Sequence, residues 1–178
     1  MKRLVVSFSG RKNGNCAGIG KYAAQELDCM FVEFAGLNAQ PCGDCGCECL
    51  CGGLCPKADG VFALYDAIAQ ADECVFVLPN YADYPCANYF IFAERGTGWF
   101  GGSEERQAKY MAVPKKAVVI SGEEKENFRK ILSYQADRTD CLFLRAKDFG
   151  QRSTDGRLAE NEDVRALVKA FLEGDTCG

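Results

Sequence analysis

Apolar residues fall along this chain in short continuous runs, separated by longer stretches in which they recur every three or four positions. The first run, 3–8, reads as a strand, and 16–27 follows as a helix weakened by Gly18 and Gly20. A second strand, 30–34, leads into a glycine-rich segment. Asp59 then stands as a cap before a helix in which Val61, Phe62, Leu64, Tyr65 and Ile68 repeat at helical spacing. The run 73–78 is a third strand ended by Pro79, with a helix around 88–93 after it. Strand 116–121, helix 123–134, strand 141–144 and helix 160–172 complete the series. Strand and helix alternate five times, the order of a doubly wound parallel sheet with helices on both faces.

Length and composition add one domain, 1–178: 178 residues at 48% hydrophobic build a core without help from the cysteine-rich segment at 41–58. A formal charge of −4 with no basic run sets nucleic acid aside as the main partner. No stretch has the apolar length needed to span a bilayer. In the opening MKRLVVSFSGRKNG only Leu4, Val5, Val6 and Phe8 precede the return of charge, unlike a secretory signal. The expectation is a cytoplasmic protein whose thiols are kept reduced. Histidine is absent, which removes the Ser-His and Cys-His hydrolases and the common catalytic zinc sites.

The segment PCGDCGCECLCGGLC places six of the twelve cysteines within fifteen residues. A [4Fe-4S] cluster is held by four thiolates, and ligands two or three residues apart on a flexible loop wrap one cubane without strain. Gly43, Gly46, Gly52 and Gly53 supply the backbone freedom. A disulfide knot, a structural zinc knuckle and redox-inert thiols are the competing readings.

A doubly wound sheet places its ligand at the carboxyl ends of the strands, where the strand order reverses between the first and third. After the first strand comes Ser9-Gly10-Arg11-Lys12-Asn13-Gly14-Asn15-Cys16, a polar loop feeding a helix whose free amides suit a phosphate. After the third comes Pro79-Asn80-Tyr81-Ala82-Asp83-Tyr84-Pro85, with an aromatic to flank a flat ring, and after the fourth Ser121-Gly122. Gly20-Lys21 precedes Tyr22 and lacks the upstream glycine of a nucleoside-triphosphate loop, and Gly-x-Gly-x-x-Gly is missing. A mononucleotide such as FMN suits the crevice better than a dinucleotide.

Three segments together carry a resemblance: SGRKNGNC, PCGDCGCECLCGGLCPKAD and LPNYADYPCANYFIFAER. Over roughly the first two thirds of its length the chain resembles the NAD(P)H-dependent FMN reductase family, and within it the iron-sulfur flavoproteins. The resemblance implies a flavodoxin-like five-stranded sheet with the cysteine-rich loop inserted after the second strand. It also implies that Ser9, Asn13, Gly14, Asn15 and Cys16 surround an FMN phosphate, with Arg11 and Lys12 supplying charge. Pro79, Asn80, Tyr81 and Ala82 would face the isoalloxazine, with Ser121 and Gly122 closing the other side. Cys16 stands where the family has a hydroxyl, and Asp83, Glu123 and Glu124 are unusual charges near such a ring.

By the same resemblance Cys42, Cys45 and Cys55 match cluster ligands, while Glu48 occupies the third position and Cys49 is the favoured substitute. Cys47 and Cys51 are surplus. Cys29, Cys74 and Cys141 read as small core residues, and Cys86 and Cys177 are left open. The implied function is an oxidoreductase passing electrons between FMN and a [4Fe-4S] cluster, its redox partner a ferredoxin, NAD(P)H or a small oxidant. The implied assembly is a homodimer or larger. The alternative is a zinc- or soft-metal-binding module on the same scaffold without flavin.

Overall fold

The computed structural model describes residues 1–43, 45–51, 55–120, 126–136 and 138–174. Five parallel strands, β1 (Arg3–Ser7), β2 (Met30–Glu33), β3 (Glu73–Pro79), β4 (Lys115–Ile120) and β5 (Thr139–Leu144), form one sheet in the order β2-β1-β3-β4-β5. The order reverses between β1 and β3, as expected for the flavodoxin-like α/β fold. Registers such as Val5↔Val75 and Val77↔Val118 put the three central strands at equal depth, so their carboxyl ends open on one crevice.

Alternation along the strands divides the core into two faces. Val5, Val75, Val77 and Val118 pack with Ile19, Val164 and Val168 beneath α1 (Asn15–Glu26) and α6 (Glu162–Glu173). The other face is aromatic: Phe8, Phe76, Tyr89, Phe92, Trp99 and Tyr110 pack with Tyr65 and Phe128 under α2 (Val61–Ala69), α3 (Ala87–Phe100), α4 (Glu104–Ala112) and α5 (Glu126–Leu132). Tyr65 stacks on Phe92 with centroids 4.3 Å apart and gives its hydroxyl to the Phe92 carbonyl at 2.8 Å. Among the described residues no helix is long and apolar enough to cross a membrane.

Several boundaries differ from the sequence-based expectation. The helix around 88–93 continues to Phe100, because its two glycines serve packing: a Cβ at Gly96 would lie 2.4 Å from the Tyr65 hydroxyl, and one at Gly98 3.0 Å from the Cys49 sulfur. Gly20, read as weakening the first helix, likewise lets α1 approach the ring of Phe31, which a Cβ would meet at 2.4 Å. The helix α4 was not expected. Its first turns are polar and only Tyr110 is buried, with Met111 partly packed on the core, so periodicity marks it poorly, and it rests on the Ser103 cap, whose hydroxyl accepts from the Arg106 amide. Pro79 does not follow β3 but is its last residue, opposite Ile120, with the next ladder bond made by Asn80.

Candidate functional site

A cavity of 380 Å³ opens at the strand-order reversal, within the size range of small-molecule sites. The β1–α1 loop forms its floor. Arg11 donates its amide to the Ser9 hydroxyl at 3.1 Å, folding the loop so that Gly14 caps α1 without a side-chain partner. The first amides of a helix have no intrahelical acceptor, and no acidic residue lies in the first turn of α1, so this end attracts an anion. Gly14 is where the loop is tightest, since a Cβ there would lie 3.1 Å from that of Arg11.

Ser9, Arg11, Gly14, Asn15, Cys16, Pro79, Asn80, Tyr81 and Ala82 line this cavity, together with Ile120 and Ser153. Lys12 and Asn13 are exposed and not among the lining residues. Ser121 and Gly122, like Glu123, Glu124 and Cys177, lie outside the described residues. The Asn15 side chain, expected at a phosphate, is committed elsewhere: it donates to the Ser153 carbonyl at 3.1 Å and accepts from the Leu158 amide at 3.0 Å. Asn15 therefore ties the amino end of α1 to the loop after β5. Ser153 lies in the loop after β5, beyond the strand ends to which the topology alone points. Its Ser-Thr-Asp-Gly run is the turn signal that marks it, and Gly156, at φ +74°, allows a close approach to the Asn13 carbonyl, 2.5 Å from a Cβ built there.

Cys16 is buried and shares a hydrogen bond with Ser9, and burial, seconded by Cys86, pushes its thiol up to about 12. It is a neutral wall of the cavity rather than a nucleophile. Cys86, left open from sequence, is also buried, and donates its thiol to the Phe8 carbonyl at 3.1 Å.

The opposite wall is a tight turn. Tyr81 and Tyr84 exchange both backbone hydrogen bonds, at 2.8 and 3.0 Å, around Ala82 (φ +50°) and Asp83 (φ +71°). Two successive left-handed residues make the primed turn that glycine and asparagine favour, and an alanine there is strained. Asp83 holds it: its amide donates to Asn80 Oδ1 at 3.0 Å, and its carboxylate accepts the Phe128 amide at 3.1 Å, near the start of α5. The carboxylate flagged as unusual near a flat ring is thus turned to the positive end of a helix. The Tyr81 ring, half exposed at 52%, stands free at the cavity edge.

The cysteine segment lies against α3, and none of its described residues lines this cavity. Glu94 accepts the Cys42 amide, and Arg95, 1% exposed, donates to the Gln40 carbonyl at 2.8 Å, to Asp59 at 2.6 and 3.2 Å, and to the Cys55 sulfur at 3.5 Å. Cys49 packs on Gly98. Cys42 is exposed, yet residual desolvation and then Glu94 raise its thiol pKa, Arg95 opposes them, and Cys49 and Cys55 raise it further; these thiols share one neighbourhood. Cys45, Cys49 and Cys55 are half-buried, whereas Cys47, at φ +54°, and Cys51 are exposed. Among the described residues no three metal-ligating side chains close on a common centre. In chemistry the donor set fits a thiolate-held cluster, with sulfur ligands and a buried cation to offset their charge.

The NADPH-dependent FMN reductase family model matches residues 1–95. No curated protein matches the chain in sequence. Among solved structures it is similar to Smu.1420 of Streptococcus mutans UA159 (12% identity, 98% of this chain and 100% of that one, TM-score 0.69). It is similar also to general stress protein 14 of Treponema denticola, solved in complex with FMN (12%, 99% and 100%, TM-score 0.68), and to an apo NADH:FMN oxidoreductase, EMOB (13%, 97% and 87%, TM-score 0.59). At these identities the likeness establishes the fold.

Proposed function

The chain belongs to the NADPH-dependent FMN reductase family, and from that premise we propose that it is an FMN-dependent oxidoreductase that passes electrons between the flavin and a [4Fe-4S] cluster. FMN supplies two-electron exchange with a nicotinamide-type donor, and the cluster one-electron exchange with a ferredoxin or small oxidant. The observation that carries the flavin half is the polar cavity at the β1/β3 reversal, floored by the amino end of α1. There the backbone amides of 14–16 bind the phosphate, Arg11 adds charge at the mouth, and Lys12 and Asn13 border the loop. Pro79, Asn80, Tyr81 and Ala82 position the ring from one side and Ser121 and Gly122 from the other. No side chain needs to move a proton, which accords with a chain lacking histidine.

For the cluster, Cys42, Cys45, Cys49 and Cys55 are the ligands. Burial supports the choice of Cys49 for the third position: it is half-buried against α3, while Cys47 and Cys51 are exposed. Dense free thiols are what a reducing cytoplasm maintains, and a cluster loop this exposed is sheltered in a homodimer or larger assembly.

One anaerobic sample with iron, sulfide, zinc and flavin quantified together tests the proposal. The expected result is about one FMN and four iron with four sulfide per chain. Zinc in place of iron, with no flavin, overturns it.

A further inference from the structure

Arg95 is as deeply buried as any charge among the described residues, 1% exposed like Lys115, on a helix whose other buried residues are mostly aromatic. A lone ion pair does not explain that burial: desolvating a guanidinium and a carboxylate cancels most of their attraction, and apolar replacements are often as stable. What distinguishes this pair is its third partner. One guanidinium nitrogen, Nη1, serves Gln40 and Asp59, while Nη2 is shared between Asp59 at 3.2 Å and the Cys55 sulfur at 3.5 Å. The Phe62 ring lies 5.5 Å from the guanidinium carbon and shields it from water. Along the same helix Glu94 takes the Cys42 amide and Gly98 leaves room for the Cys49 sulfur. Residues 94, 95 and 98 fall on one stretch of helical surface, so a little more than one turn of α3 grips three of the four proposed ligands.

We infer that Arg95 is a positioning residue for the metal centre, fixing the Cys55 sulfur and holding the reduction potential of the cluster up through its charge and its N–H···S contact. The inference rests on the cluster reading above. A thiolate-held cluster is anionic and gains a further negative charge on reduction, so a buried cation and a hydrogen bond to sulfur favour the reduced form. Other charges around the loop set the balance. Asp59 neutralises part of the guanidinium, Glu94 sits at Cys42, Glu48 lies within the loop, and the Lys57 ammonium is near Gly43. Asp59 keeps Arg95 in place through both carboxylate oxygens, and is itself held by the Val61 and Gln40 amides.

The test is a spectroelectrochemical titration of the anaerobically purified full chain and three variants, with iron, sulfide and FMN counted on each. Arg95→Met should lower the cluster midpoint by at least a tenfold change in the reduction equilibrium, about 59 mV for one electron, with FMN content at the parent level. Arg95→Lys keeps the charge but not the fork and should fall between the two. Arg95→Met strands the Asp59 carboxylate, so Arg95→Met/Asp59→Asn carries the test if the single variant does not fold. The double variant restores the net charge and loses only the hydrogen bond, so its midpoint should lie below the parent and above Arg95→Met. A cluster in every variant with an unchanged midpoint overturns the inference and leaves the proposed function standing. A parent with FMN but no iron overturns both.

Discussion

The two candidate sites are built in opposite ways. The crevice at the ends of β1 and β3 is made of backbone: a helix end, a tight turn and a glycine gap, held by ties that reach beyond the cavity, such as the bond from Asp83 to the start of α5 and those from Asn15 to the loop after β5. The described residues of the cysteine segment hold a single 3-10 turn, over Glu48–Cys51, and are held at the flanks by α3. The difference teaches where each site's information lies. Backbone geometry at the crevice tolerates changes in the lining side chains and fails when its distant ties are cut. The loop depends on the side chains themselves and on one buried arginine.

Serine at the cysteines gives the sharpest division between the two. Cys42→Ser, Cys45→Ser, Cys49→Ser and Cys55→Ser should each lose most of the iron and sulfide, because a hard hydroxyl is a poor substitute for a soft thiolate. Cys47→Ser and Cys51→Ser should keep the parent content, and all six should keep full FMN. Iron assay and flavin absorbance on the same samples read both halves. Loss of flavin together with iron would mean that the two sites do not stand apart.

Next in size is a break in the crevice's outer tie. Asn15→Leu removes two hydrogen bonds at a residue 3% exposed, leaving the Leu158 amide and the Ser153 carbonyl without this partner. Stability should drop by about 2–3 kcal/mol in urea unfolding, and FMN affinity should fall because the loop after β5 shifts off α1. Iron content should not change. Asn15→Asp keeps the acceptor toward Leu158 and should recover part of the loss.

A milder test on the loop side is Gly98→Ala. The added Cβ meets the Cys49 sulfur at 3.0 Å and the Phe62 ring at 3.4 Å. The sulfur or the helix must move by a few tenths of an ångström. The expected outcome is slower cluster incorporation with the helical circular dichroism and FMN content of the parent. Unchanged incorporation would place Cys49 off the ligand set.

How far the sequence reveals these features follows from the same contrast. The five strands and the reversal point are legible because central parallel strands are continuous apolar runs, and because strand-helix alternation leaves few topologies. Cavity residues at strand ends, Ser9, Arg11, Gly14 to Cys16 and Pro79 to Ala82, follow from that topology alone. Ser153 and the tie made by Asn15 do not, since they depend on a contact spanning 138 residues that no local pattern announces. Helix α4 is hidden because its surface is polar. In the cysteine segment spacing proposes ligands, but only the fold brings Arg95, forty residues away, to the Cys55 sulfur.

The smallest expected effect lies at the turn beneath Tyr81. Ala82 adopts φ +50° and Asp83 φ +71°, conformations that cost a non-glycine residue about 1 kcal/mol or more. That strain persists because Asp83 is bound from three sides: by Asn80, by the Phe128 amide and by Asn127, whose side chain donates to the Asp83 carbonyl at 3.2 Å. Ala82→Gly should therefore relieve strain in the folded state while adding freedom to the unfolded chain, two effects of similar size and opposite sign. The expected result is a stability change within about 1 kcal/mol, with FMN affinity and iron content unaltered, read by urea unfolding and flavin titration. Asp83→Ala, by contrast, removes the bond to α5 and should weaken FMN binding while leaving the cysteine loop intact. If Ala82→Gly weakened FMN binding as much as Asp83→Ala does, the methyl group itself would be making the contact, and the crevice would depend on its side chains as the loop does.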